Sequence, residues 1–245
     1  MAGNAAYDWN SFDALDYLAH NYQTLREDDR RILELTRDFF TAQALGPDAH
    51  AVDMGTGANL YPALAMLPFC SQLSLLDHSK ASRDWLDGQM IGYSKVWDDY
   101  WDVLTHREPY RALGDPRSVL RERAVVQPWN ILEELEEGAQ HRWDLGTMFF
   151  VAESITSEPA EFKRALEDFC ALLKPDAAFA VTFMENSSGY VVGTKRFPAV
   201  GIEEADVRAA LAGLCNELEV YHPDDGIKPL REGYTGMILV HGTVR

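Results

Sequence analysis

Along the chain, apolar positions recur first at helical spacing and then in short runs alternating with helical segments. From Ser11 to Ala44 the spacing is helical. Leu15 and Leu18 share a face, and Ile32, Leu33, Leu35, Phe39 and Phe40 follow a polar break at Arg26 to Asp29. Ser11 is the expected N-cap and Gly46-Pro47 the expected stop. His50 to Met54 then reads as a strand, Gly55-Thr56-Gly57 as a tight turn, and Asn59 to Leu67 as a helix. Leu73 to Leu76 is a second apolar run ending at Asp77, followed by a helical segment from Ala81 to Ile91.

Val125-Val126 and Thr147 to Val151 supply two further strands. Between Trp97 and Arg123, aromatic and acidic residues alternate with Pro109, Gly114 and Pro116, which predicts an irregular insertion bounded at about 94–123. Trp97, Tyr100 and Trp101 nevertheless hold the spacing of one buried helical face. Glu158 to Leu173 is a strong helix, Lys174-Pro175-Asp176 a turn, and Ala177 to Phe183 a continuous apolar strand suited to a sheet centre. Glu203 to Leu218 reads as a helix, with strands at Glu219 to His222 and Met237 to Val244.

Strands alternating with helices predict an α/β fold: one doubly wound, Rossmann-like sheet, mostly parallel, with an antiparallel strand near the C-terminus. No Gly/Ser linker, low-complexity tract or repeat divides the chain, so residues 1–245 are expected to form one domain. Residues 1–45 would be a helical cap and 46–245 the core.

Composition narrows the function classes. The 245 residues are 47% hydrophobic, enough for a substantial core without metal or disulfide staples. With 22 Lys and Arg against 39 Asp and Glu the formal charge is −17, and the acids are interleaved with apolar residues. Nucleic acid is therefore a poor partner, because phosphate binding needs clustered basic residues. Cys70, Cys170 and Cys215 are odd in number and far apart, and no histidine pattern accompanies them, so no metal site is expected. The absence of a basic leader and of any long apolar stretch predicts no membrane partner and a cytoplasmic location.

In doubly wound sheets a ligand binds outside the carboxyl ends of the strands, where the strand order reverses. Here the first such turn is Asp53-Met54-Gly55-Thr56-Gly57, and Asp77 ends the second strand in position to accept from ribose hydroxyls. A nicotinamide or flavin dinucleotide calls for GxGxxG, but Leu60 holds the third glycine position. Asp53 precedes the first glycine, where it suits the sulfonium and amino groups of S-adenosylmethionine better than a pyrophosphate. An ordinary tight turn is the competing reading of these glycines.

Several separated stretches carry a resemblance. Tyr17-Leu18-Ala19-His20-Asn21-Tyr22 is similar to an opening YLxxxY helix, and the glycine motif extends as DxGxGxxxY from Asp53 to Tyr61. Lys163-Arg164-Ala165-Leu166, Leu172-Leu173-Lys174-Pro175 and Ser188-Gly189-Tyr190-Val191-Val192-Gly193 add to it. Together they resemble the nicotinamide, phenylethanolamine and thioether methyltransferases, which use S-adenosylmethionine on small molecules and have the class I methyltransferase sheet. The resemblance implies that Tyr17 and Tyr22 close over the amino acid end of the cofactor, that Gly55, Gly57 and Tyr61 line it, and that Asp77 holds its ribose. Beside the adenine, Gln127-Pro128-Trp129-Asn130 stands where the family commonly has Asp-Val, which leaves Trp129 or Asn130 for that role. Ser82 stands where an Asn often contacts the cofactor.

Methyl transfer from a sulfonium is an in-line displacement, so a catalyst mainly desolvates and aligns the pair, and a carboxylate near an amine acceptor can orient it or take its proton. Glu185 and Glu232 are the catalytic candidates, each with a solvated loop acid as the competing reading. Tyr7, Trp9 and Phe12 precede the first helix as candidate lid residues, and Tyr190 joins Tyr7 and Phe12 as a candidate for acceptor binding. The expected function is methyl transfer to a small amine or heteroaromatic nitrogen. Its rivals are S-, O- or C-methylation by the same fold, a non-catalytic cofactor-binding protein, and a dinucleotide oxidoreductase.

Overall fold

The computed structural model describes residues 3–46, 48–135 and 138–245. Met1, Ala2 and Pro47, the last expected to help end a helix, lie outside the described residues. Five strands run parallel: β1 (His50–Met54), β2 (Gln72–Asp77), β3 (Ala124–Pro128), β4 (Trp143–Phe149) and β5 (Leu173–Glu185). A hairpin of β6 (Tyr190–Val192) and β7 (Lys195–Phe197) stands apart from them, and β8 (Cys215–Tyr221) and β9 (Gly236–Val244) complete the sheet. Among the described residues its order is β3-β2-β1-β4-β5-β9-β8, with β9 antiparallel to both neighbours. This is the doubly wound, mostly parallel sheet that the sequence predicts. The chain winds outward from β1 to β3 and then returns to β4 on the other side of β1, so the switch point lies at the carboxyl ends of β1 and β4.

The helices are α1 (Ala14–Asn21), α2 (Glu27–Ala42), α3 (Tyr61–Met66), α4 (Lys80–Ile91), α5 (Val96–Leu104), α6 (Glu108–Ala112), α7 (Pro116–Arg123), α8 (Pro159–Leu172) and α9 (Glu204–Leu211). Side chains of β5 alternate between two apolar layers. Ala178, Ala180 and Met184 join the layer that holds α2, α3 and α5, while Phe179, Val181 and Phe183 join α8 and α9. Among the described residues, no helix is long and apolar enough to cross a membrane.

Four local expectations are corrected. Asp13, not Ser11, caps α1, its carboxylate accepting from the amides of Leu15 and Asp16, while the Ser11 hydroxyl donates to the Asp8 carbonyl. The expected polar break is itself helical from Glu27, because Glu27, Asp28 and Asp29 suit the positive end of α2. The segment expected to be irregular contains α5, α6 and α7. Pro109 and Pro116 occupy first turns, where a missing N–H costs nothing, and Asp115 caps α7. Finally, the predicted helix to Leu218 stops at Leu211. Gly213 follows at φ +82°, and residues from Cys215 pair with β9 instead.

Candidate active site

The carboxyl end of β1 turns sharply through Gly55 (φ +68°) and Gly57 (φ +51°), conformations that favour glycine. A Cβ on Gly55 would come 2.6 Å from Cγ2 of Val151, so the loop after β4 requires glycine there. The turn is pinned to β2: the Gly55 amide donates to the Leu76 carbonyl at 2.7 Å, and the Gly57 amide donates to Oδ2 of Asp77 at 2.9 Å. Oδ1 of Asp77 accepts from the Ser79 amide at 2.7 Å. Burial raises the Asp77 pKa to about 6 against these hydrogen bonds.

Above the turn lies a cleft enclosing about 800 Å³ of empty space, part of it open to solvent. Tyr17, Tyr22, Gly55, Gly57, Asp77, Trp129 and Asn130 line it, as do Phe12 and Tyr190. The Trp129 amide donates to the Asp77 carbonyl, which holds the indole beside the carboxylate. Its Nε1 is buried with no hydrogen-bond partner among the described residues. A carboxylate, a glycine turn and the Trp129 side chain thus line one cleft, and they fit a nucleoside: a diol for Asp77 and an aromatic wall for the base.

Other predicted residues lie elsewhere. Asp53 is buried beneath the turn, Oδ1 accepting from the Thr147 hydroxyl at 2.7 Å and Oδ2 without a partner among the described residues, and burial raises its pKa to about 7. It does not line the cleft. Tyr61, the first residue of α3, points away from it. Its hydroxyl donates to Oδ1 of Asp29 at 3.2 Å, and its ring stacks on Tyr100. Tyr7 is half-buried, with its ring against Trp9, and does not line the cleft. Glu185 and Glu232 are not cleft residues either. Strand parity sets Glu185 on the same side of β5 as Phe183, where it accepts from the Thr235 hydroxyl, and Glu232 is exposed.

The outer wall is an aromatic stack rather than separate core rings. Trp9 stacks on Phe197 at 5.4 Å and Phe197 on Tyr190 at 5.6 Å, while Phe12 meets the edge of Phe197. Asp16 on α1 accepts from the Gly193 amide and so ties the N-terminal segment to the β6–β7 hairpin.

Sequence reasoning missed Glu153, just past β4. The side chain is fully buried. Oε1 accepts from the Met184 amide at 3.1 Å and the Ser154 hydroxyl at 2.9 Å, and Oε2 has no partner among the described residues. Burial raises its pKa to about 7, while the Arg231 charge opposes that rise. It acts electrostatically on Tyr17 and Tyr190, and Ser154 beside it lines the cleft and receives the Tyr190 hydroxyl at its carbonyl. One signal was available: like Asp77, Glu153 closely follows an apolar strand at the ligand-binding edge.

This fold and site define a nucleoside-binding α/β domain of the methyltransferase type. The chain matches the NNMT/PNMT/TEMT family over residues 2–225 and belongs to that family of S-adenosylmethionine-dependent small-molecule methyltransferases. S-adenosylmethionine is its cofactor and S-adenosylhomocysteine the product formed from it. No curated protein matches the chain.

Solved structures share the fold at low identity. An S-adenosylmethionine-dependent methyltransferase from Clostridium acetobutylicum matches with TM-score 0.60 and 12% identity over 94% of this chain and 99% of its own. The Burkholderia thailandensis 1,6-didemethyltoxoflavin-N1-methyltransferase, with bound 1,6-didemethyltoxoflavin and S-adenosylhomocysteine, matches at 0.52 and 14% over 88% and 79%. The N-methyltransferase NodS from Bradyrhizobium japonicum, in complex with S-adenosylhomocysteine, matches at 0.51 and 11% over 94% and 98%.

Proposed function

We propose that this chain methylates a nitrogen atom of a small acceptor, with Glu153 receiving the acceptor proton. The observation that carries the reading is the Oε2 of a fully buried glutamate, without a partner among the described residues and next in sequence to Ser154, which lines the cleft although Glu153 itself does not. A buried carboxyl oxygen without a donor is costly, and an acceptor N–H supplies one. Two of the similar folds are N-methyltransferases by name, which agrees with this reading.

Bound S-adenosylmethionine supplies an electrophilic methyl group. Asp77 accepts from the ribose hydroxyls, Gly55 and Gly57 admit the ligand close to the backbone, and Trp129 and Asn130 flank the base. Tyr17 and Tyr22 cover the opposite end. Phe12 and Tyr190 hold a flat acceptor out of water, so that its nitrogen lone pair meets the methyl carbon. With the methyl group delivered to nitrogen and the sulfur released as a neutral thioether, Glu153 would receive the surplus proton on nitrogen, its pKa of about 7 suiting a base at neutral pH.

The test offers purified protein and methyl-labelled S-adenosylmethionine to matched amines, thiols, thioethers and catechols. The expected result is label on amine or ring nitrogen, with rates rising as pH passes through 7. Label confined to sulfur or oxygen contradicts the nitrogen assignment, and cofactor binding without transfer to any acceptor favours a non-catalytic role.

A further inference from the structure

The three cysteines are far apart in sequence, yet the fold brings two of them together. Cys170 lies in the last turn of α8 and Cys215 is the first residue of β8, 45 residues further on, and their Sγ atoms are 3.9 Å apart. Both are free thiols. Packing holds them there: Phe169, Cys170 and Leu172 are buried in the apolar layer of α8 and α9, Leu214 and Cys215 pack against that layer, and Cys215 pairs with Val244 of β9. Cys70 is buried in the other layer, across the sheet from the pair.

Sulfurs in van der Waals contact have only about 2 Å to close before they reach bonding distance. The side chain of Cys215 has room to make that move. β8 is an edge strand, and its register with β9 breaks between Asn216 and Glu219, just past the cysteine. Access is also from this side, because Cys215 is half-buried whereas Cys170 is buried. Cys215 is the more acidic thiol as well: the hydrogen bond from Cys170 lowers its pKa, while that same bond and burial raise the pKa of Cys170.

From this juxtaposition we infer that Cys170 and Cys215 form a redox-modification site, which a low-molecular-weight disulfide such as oxidised glutathione converts to an intramolecular disulfide that stabilises the fold and leaves the cofactor cleft unchanged. The Cys215 thiolate attacks the reagent and releases one thiol, and Cys170 then displaces the second. Two protein S–H bonds are lost and one S–S bond forms, and the two electrons and two protons leave on the reagent as two thiols. The bond ties α8 to the sheet edge and closes a loop containing β5, the β6–β7 hairpin and α9, which restricts the unfolded chain. Cys215 lies opposite Val244, and the adjacent Thr243 lies opposite Ala178 in the first half of β5, so the pair sits away from the carboxyl ends of the strands where the cleft opens. Neither thiol takes part in methyl transfer, so the site stands whichever atom is methylated.

The test incubates the full chain with oxidised glutathione under native conditions, removes the reagent, and counts thiols after denaturation. The reduced protein should show three thiols and the treated protein one, with peptide mass spectrometry joining Cys170 to Cys215 and leaving Cys70 free. Treatment should raise the melting temperature by roughly 5 to 10 °C, reversed by dithiothreitol. Calorimetric affinity for S-adenosylhomocysteine should agree within about twofold between the two forms. Cys215→Ser should form no internal disulfide and show no rise in melting temperature on treatment.

Three thiols after treatment, glutathione left on Cys215 as the end product, or a bond to Cys70 overturns the inference. So does a disulfide form that melts no higher than the reduced protein or binds S-adenosylhomocysteine more than about twofold more weakly.

Discussion

Glu153→Gln is expected to make the protein more stable and less active at once. In the folded chain the carboxyl is fully buried, keeps one oxygen without a donor among the described residues and has its pKa raised from 4.5 to about 7. At pH 8 the folded state must carry that charge out of water, whereas the unfolded chain hydrates it, a difference on the order of 3 to 4 kcal/mol at about 1.4 kcal/mol per pKa unit. Glutamine removes the charge and keeps an acceptor for the Met184 amide, so the melting temperature at pH 8 should rise by roughly 4 to 10 °C for a chain of this size. Methyl transfer to nitrogen should fall by about a hundredfold, the scale of a lost general base. Calorimetric melting and a labelled-methyl assay on the same variant check both halves. A stabilised variant with full activity would leave Glu153 a structural residue.

Stability as a function of pH should fall from about pH 5 to pH 8. Burial raises Asp29, Asp53 and Glu153 to about 7 and Asp77 to about 6, with the nearby Asp28 charge adding to the rise at Asp29. Near pH 4 the unfolded carboxyls begin to ionise while these folded ones stay protonated. The native state then binds more protons, and the stabilisation disappears as pH rises through 6 to 7. His241 works the other way. Burial lowers its pKa to about 3, so its unfolded imidazole takes up a proton below about 6.5 and the native state loses stability on acidification. Four carboxyls against one imidazole decide the sign. Asp38, held at about 2 by Arg107 and Arg37, loses its contribution only in stronger acid. Melting temperatures without ligand should be higher near pH 5 than at pH 8 by on the order of 10 °C. A flat or rising profile would contradict the protonated state assigned to these buried groups.

How much of this was legible in the sequence depends on how local each signal is. The strand, glycine turn and Asp77 could be read directly, because a tight turn and an acid closing an apolar run are marked by a few adjacent residues. The continuous apolar run before Phe183 likewise marked a central strand. Tyr61 was misplaced because its direction depends on where α3 begins: as the first helical residue it faces Asp29 and Tyr100. Glu185 was misplaced because one residue of strand parity exchanges the two faces of β5. Glu153 was overlooked because its importance comes from strand order: β4 lies beside β1, and the Met184 amide on β5 turns a loop acid into a buried one. The helices between 96 and 123 were hidden by prolines that start helices as readily as they end them.

The central claim is that the cleft holds a nucleoside through Asp77. Its most direct test is calorimetric titration with S-adenosylhomocysteine of the wild-type protein and of Asp77→Ala, with the fold of the variant checked by circular dichroism. Losing charge-assisted hydrogen bonds to ribose should cost about 1.5 to 3 kcal/mol, so micromolar binding by the wild type should weaken tenfold or more. Wild-type protein that does not bind, or a folded Asp77→Ala that binds as tightly as wild type, would contradict the account.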